Sequence, residues 1–262
     1  MKRYVRLGIN IDHVATLRNA RGEDYPKVTE AAKIVENSGA DLVTVHLRED
    51  RRHINEKDLG DILDTVNIPV NLEIGANSEM IKIAKEYKPK CVCFVPEKRQ
   101  EITTEGGLDV INNFDKLKKI IKSLSNDNIN VAIFIDPDKD QLIATQKLGV
   151  KTIEFHTGSY ANAFIKKNNV DLELKKIIES TAFAKKIGLN CHAGHGLTYD
   201  NVGAIVSIKD IKKGDVFSLD NIWVKRPGNG ELLSDQLDEV LGKKSLTNIS
   251  IDSQLRISDI KK

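Results

Sequence analysis

Val70-Asn-Leu-Glu-Ile-Gly75 is a short apolar run with one carboxylate, Glu73, near its C-terminal end. Six more runs of similar length occur at residues 6–12, 42–47, 91–96, 130–136, 152–157 and 189–194. Amphipathic, helix-like stretches lie between them at 27–38, 78–87, 113–125, 138–148 and 171–187. Short apolar runs alternating with longer helical patterns read as successive βα units. Such units impose a parallel sheet with right-handed crossovers. Gly39, Gly149 and Gly188 each follow a helical pattern and precede a strand, where a left-handed C-cap belongs.

An open doubly wound sheet and a closed (β/α)8 barrel both accept this alternation. The polar residues decide between them. They fall at the C-terminal end of almost every run: Asn10, Asp12 and His13; His46 and Arg48; Glu73; Glu97 and Arg99; Asp136; Glu154 and His156; His192 and His195. A barrel brings all its strand ends to one mouth, whereas an open sheet gathers only those beside its switch point. The fold expected is therefore an α/β barrel of the (β/α)8 type. No glycine-rich dinucleotide fingerprint follows the first run.

Composition narrows the class. The 262 residues carry 40 Lys and Arg against 38 Asp and Glu, a net charge of +2, with no long single-sign block. Nothing there favours nucleic acid as a partner. No run of 18 apolar residues exists, so no membrane partner is expected, and the start of the chain has no signal-like apolar region. Three cysteines, Cys91, Cys93 and Cys191, are too few for a disulfide framework and point to a reducing cytoplasm. Cys91 and Cys93 would share one strand face, as free thiols rather than a metal pair.

The alternation breaks near residue 205. The segments 206–217 and 221–230 read as short strands and tight turns where an eighth strand and its helix are expected. We therefore divide the chain at 1–204 and 205–262, the latter small enough to lean on the barrel or on a second chain.

Five segments carry candidate chemistry. In Gly8-Ile-Asn-Ile-Asp-His13, Asn10 and Asp12 would share one strand face and His13 would start a loop. In the stretch from Thr44 to His53, the guanidinium groups of Arg48, Arg51 and Arg52 with His46 and His53 suit an anion such as phosphate. Glu73, if it faces the barrel mouth, is a general base with a pKa raised by burial; its structural alternative is a pair with an arginine such as Arg48. The loop at 96–107 offers Thr103 and Thr104 hydroxyls, with Gly106 and Gly107 supplying mobility or positive φ, which would suit a lid. His195, flanked by glycines just past a strand end, is placed for a general acid. His-x-His and His-Glu-x-x-His spacings are absent, so no metal is expected, although a site assembled across strands stays open.

Long motifs within these segments resemble the pyridoxine 5'-phosphate synthase family. They are Asn10-Ile-Asp-His13, Thr16-Leu-Arg-Asn-Ala-Arg-Gly22, Val45-His-Leu-Arg-Glu-Asp-Arg-Arg-His53, Val95-Pro-Glu-Lys-Arg-Gln-Glu101, Thr103-Thr-Glu-Gly-Gly-Leu-Asp109, His156-Thr-Gly158 and Ala193-Gly-His-Gly-Leu-Thr198. The resemblance spans about residues 5–203. It implies a transferase of vitamin B6 synthesis that condenses 3-amino-2-oxopropyl phosphate with 1-deoxy-D-xylulose 5-phosphate and needs no metal or organic cofactor. By the same resemblance His46 and Glu73 are proton acceptors, His195 a proton donor and Glu154 a transition-state stabiliser. Asn10, Arg21 and Gly196 match positions that hold the amino-ketone phosphate. Asp12, His13, Arg48, His53 and Thr103 match positions that hold the deoxyxylulose phosphate.

The tail departs from that family, which continues into an eighth strand with a phosphate-gripping Gly-His pair; no such pair follows residue 203. Instead Ile208-Lys-Asp-Ile-Lys-Lys-Gly-Asp-Val-Phe217, Trp223-Val-Lys-Arg-Pro-Gly-Asn-Gly230 and Val240-Leu-Gly-Lys-Lys244 resemble the SAF, or antifreeze-like, domain of sialic acid synthases over about 205–262. In that family the domain caps the partner subunit's active site, and Arg226 matches its substrate-contacting arginine. A barrel without its own last strand favours a homo-oligomer. Two other functions follow from the tail: a sialic-acid-synthase-like condensation of phosphoenolpyruvate, or a non-catalytic fusion that binds sugar phosphates.

Overall fold

The structure is a computed structural model. It describes residues 6–97, 106–125, 127–198, 200–202, 204–207, 210–225, 231–232, 236–250 and 253–261. The chain divides into two compact units, one of residues 4–160 and 169–195, the other of 161–168 and 196–262 with the first three residues.

The larger unit is a seven-stranded parallel sheet in sequence order: β1 (Gly8–Asn10), β2 (Leu42–His46), β3 (Val70–Ile74), β4 (Cys91–Phe94), β5 (Asn130–Ile135), β6 (Thr152–His156) and β7 (Asn190–Gly194). All seven expected runs form strands. Helices α1 (Asp12–Arg21), α2 (Val28–Asn37), α3 (Glu56–Thr65), α4 (Ser78–Tyr87), α5 (Phe114–Ser125), α6 (Lys139–Lys147), α7 (Gly158–Lys166) and α8 (Val170–Lys186) fill the crossovers. This is the α/β architecture of a (β/α)8-type fold with seven strands of its own. Gly39, Gly149 and Gly188 all take positive φ, between 80° and 86°, as a left-handed helix stop requires.

The two faces of the sheet bury different things. Val43, Val45, Leu72, Ile74, Val92, Phe94, Ile133, Ile135, Ile153 and Phe155 pack on the helices in one continuous core. The alternate residues face the other way. There Cys93, Val95, Ala132 and Phe134 form a small separate apolar cluster, and the remaining positions, Thr44, His46, Asn71, Glu73, Thr152, Glu154 and His156, are polar. The core is therefore in the helix layer, and the inner face is left for chemistry. The three cysteines are free thiols, with Cys93 buried.

Two local expectations are corrected. Strand β1 stops at Asn10, and Asp12 opens α1, so Asn10 and Asp12 do not share a strand face and His13 sits in the first helical turn rather than a loop. Gly107 does not take positive φ: it serves a close approach to the end of β5, where an added Cβ would collide with the backbone of Ile135 and Asp136.

In the smaller unit, β8 (Ala204–Ser207) pairs antiparallel with β9 (Ile222–Lys225) and not with the parallel sheet. Isolated antiparallel bridges, the short helix α9 (Leu237–Val240) and a 3-10 turn (Ile257–Asp259) complete what is described of it. Its core is Ile211, Phe217, Ile222, Val240, Ile249 and Leu255. The expected β-rich tail is thus a small fold of short pieces.

Phe94 is fully buried between β4 and the helix layer. Phe94→Ala is expected to cost about 3–5 kcal/mol, because the lost transfer energy and the residual cavity add. Denaturant titration of the full chain, followed by a signal from the larger unit, measures it.

Candidate active site

The site is built around Asp12, His46 and Glu73, which arrive from three elements. His46 ends β2 and is in register with Glu73 on β3. Asp12, at the start of α1, accepts a hydrogen bond at Oδ1 from the His46 backbone N–H, 2.8 Å. Its Oδ2 accepts from Asn10 Nδ2, 2.8 Å, while its own N–H donates to Asn10 Oδ1, 2.9 Å. This reciprocal clasp ties β1, β2 and α1 together at one point. Potential ligand atoms of Asp12, His46 and Glu73 all lie within 4.8 Å of one another. Such a set can pass protons or hold a divalent cation; the sequence spacing conceals it because the donors come from three elements.

Burial controls the protonation of this group. Desolvation raises Asp12 to about 6, against the opposing hydrogen bonds from His46 and Asn10 and the charges of His13 and Arg48. Burial, then the charges of Arg48 and His53, pushes His46 down to about 3, so its imidazole is neutral at physiological pH. Its Nε2 has no hydrogen-bond partner among the described residues. Glu73 is raised well above the carboxylate range, first by burial, then by Glu154 and Asp12. Arg48 Nε lies 3.6 Å from Asp50 and 3.8 Å from Glu97. Burial raises Glu154 on β6 to about 7. Gly194 on β7 makes room for it, since a Cβ there would collide with Glu154 Oε1.

The loop after β2 is pinned by α1. Arg18 makes a two-pronged ion pair with Asp58, at 2.5 and 2.8 Å. Asp58 also closes the capping box of α3 with Asn55. Thr16 Oγ1 meets His53 Nδ1 at 2.6 Å, and the rings of His13 and His53 stand edge-on at 5.7 Å. Arg48 is buried. The two other guanidinium groups expected to suit an anion are already engaged: Arg51 with Glu56 and Glu79, Arg52 with Asp50.

His195 follows β7 with φ 79°, a left-handed conformation uncommon for a residue with a side chain. The Thr157 hydroxyl is placed to donate to the carbonyls of Gly194 and His195, at 2.7 and 2.6 Å, and holds that turn. Gly196 also takes positive φ, and its carbonyl accepts from Asn201 Nδ2, 2.9 Å. Arg21 is not drawn into the cluster: it is exposed and pairs with Glu23 at 3.1 Å. Thr103 and Arg226 lie outside the described residues.

Two groups near the site escaped selection from the sequence. Glu97, just past β4, accepts at Oε1 from the Glu49 N–H and borders a cavity of about 520 Å³ also lined by Asn77, Asp109 and Lys116. Asp136 and His156 are hydrogen-bonded across two strand ends, 2.9 Å. Both pairs sit at strand termini, which was the available signal.

The family model described as pyridoxal phosphate biosynthesis protein PdxJ matches residues 7–216, and that of the SAF domain matches 202–261. A protein of Sulfurihydrogenibium sp. named pyridoxine 5'-phosphate synthase is 51% identical over 212 residues, 80% of this chain and 86% of that protein. Proteins with the same name from Ehrlichia ruminantium (strain Welgevonden) and Rhodospirillum rubrum are 50% and 47% identical, over 78% and 80% of this chain and 84% of each relative.

Glu154 gives a pH signature of stability. Its folded pKa, about 7, stands above the ordinary glutamate value of 4.5, so its contribution is complete below the unfolded pKa and is lost as pH rises through about 7. Asp12 acts in the same direction, through about 6. Denaturant midpoints of the wild type should fall between about pH 5 and pH 8, and Glu154→Gln should flatten that fall. An unchanged slope in the variant would contradict the assignment.

Proposed function

The chain belongs to the PdxJ family of pyridoxal phosphate biosynthesis proteins, and from that premise we propose that it condenses 3-amino-2-oxopropyl phosphate with 1-deoxy-D-xylulose 5-phosphate to form pyridoxine 5'-phosphate. The observation that carries this reading is the buried Asp12–His46–Glu73 cluster facing a raised Glu154. Condensing an amine with a ketone and closing an aromatic ring requires repeated proton removal from carbon and nitrogen and repeated proton delivery to departing oxygens.

The assigned roles follow from these environments. His46, neutral because it is buried, offers a lone pair as proton acceptor. Glu73 is the second acceptor, its basicity raised by burial and by its carboxylate neighbours. His195, solvent-accessible after β7, is the proton donor. Glu154 stabilises positive charge that develops on the condensing nitrogen. Arg48, His13, His53 and Asp12, with Thr103, hold the deoxyxylulose phosphate. Asn10, Arg21 and Gly196 hold the amino-ketone phosphate, which places on Arg21 the need to leave Glu23. No helix among the described residues is long and apolar enough to cross a membrane.

We assign residues 1–204 to the catalytic barrel and 205–262 to the appended SAF-like domain. A homo-oligomer in a reducing cytoplasm completes this reading. A phosphoenolpyruvate reaction has only the tail in its support.

The test is to incubate the purified chain with both phosphorylated substrates and follow pyridoxine 5'-phosphate. Turnover is expected, with a loss of at least about 100-fold in kcat for Glu73→Gln and for His195→Gln in cooperatively folded protein. A folded wild type that forms no product contradicts the proposal.

A further inference from the structure

We propose that Asp136 and His156 form a positioning pair that fixes the orientation of His195, with His156 held in its Nδ1–H tautomer. The inference deepens the proposed reaction and rests on it for the role of His195. The three residues follow or close three adjacent strands: Asp136 lies just after β5, His156 ends β6 and His195 lies just after β7. Asp136 Oδ1 stands 2.9 Å from His156 Nδ1, and a carboxylate there accepts the Nδ1–H. In the neutral form of the ring the lone pair is then on Nε2. The carboxylate is itself placed by the Gly107 backbone N–H, which the close approach of that glycine to β5 permits.

His156 is buried, and its ring centroid lies 5.1 Å from that of His195 at an interplanar angle of 52°. Phe134 packs on both imidazoles, at 5.2 and 6.3 Å. Gly158 keeps the space beside them clear: a Cβ at that position would collide with His156 Nε2 and stand 3.2 Å from His195 Cδ2. Thr157 holds the left-handed backbone of His195 from the same strand end. The ring and the main chain of His195 are thus both fixed by residues 156–158, and Asp136 fixes His156. Nothing in this arrangement needs Asp136 or His156 to touch substrate.

Asp136→Asn tests it, because an amide can turn its carbonyl or its NH2 toward the ring and no longer dictates the tautomer. In the full chain with 15N-labelled histidine, the wild type should show His156 protonated at Nδ1. Asp136→Asn should show a mixed or Nε2-protonated ring and a shifted His195 resonance, assigned with His195→Gln. In the turnover assay, kcat should fall about tenfold with the KM of both substrates changed less than about twofold, and Asp136→Glu should restore the tautomer and most of kcat. His156→Asn, which keeps a donor toward Asp136, should shift the His195 resonance as well. An Nε2-protonated His156 in the wild type would overturn the proposal. So would an unshifted His195 resonance, or an unchanged kcat, in folded Asp136→Asn. The spectra need no substrate, so a wild type without turnover would refute the proposed reaction while the resonances still decide the pair.

Discussion

Three carboxyl groups are desolvated together, Glu73 and Glu154 on the inner face of one parallel sheet and Asp12 at the start of α1, and the rest of the site is arranged around that burial. The sheet can bear it because its other face buries a continuous apolar core against the helices. An ionised carboxylate in such surroundings is costly unless it is paired or takes up a proton. The Asp12 carboxylate is compensated by two hydrogen bonds, from Asn10 Nδ2 and from the His46 backbone N–H. Burial raises both Glu73 and Glu154, and the charges of Glu154 and Asp12 raise Glu73 further. Asp12, at about 6, and Glu154, at about 7, exchange protons near neutrality, as a sequence of condensation and dehydration steps requires.

Cations around this cluster are distributed rather than pooled. Arg18 is spent on Asp58, Arg51 on Glu56 and Glu79, and Arg52 on Asp50, which makes the loop after β2 a rigid element. Only Arg48 among these is buried beside the catalytic candidates, and it depresses His46 and supports Asp12. In the proposed reaction that guanidinium anchors a substrate phosphate, and its charge adds to the burial that keeps His46 neutral.

The seven strands and the glycine stops were legible in the sequence because each is a local pattern: an apolar run, or a glycine where the chain must take positive φ. The polar residues at the strand ends pointed to the mouth for the same reason. Helix α1 was not legible. Only Asp12 and Ala15 are buried in it, so it carries no apolar stripe, and Asp12 read instead as the continuation of a strand. The division of Arg51 and Arg52 among carboxylates, and the pairing of Asp136 with His156 twenty residues on, depend on contacts between elements that no period encodes. In the tail, short strands were visible, yet the antiparallel partnership of β8 with β9 is a tertiary fact.

The most direct measurement is infrared spectroscopy of the full chain across the neutral range, reading the carbonyl stretch of protonated carboxyl groups. At about pH 6, below the raised pKa of Glu154, the band of a buried protonated carboxyl should be present. It should fade as pH passes about 7 and be weakened in Glu154→Gln. A spectrum without that band at about pH 6, or one that Glu154→Gln leaves unchanged, would contradict the claim that buried carboxyls hold the protons this site works with.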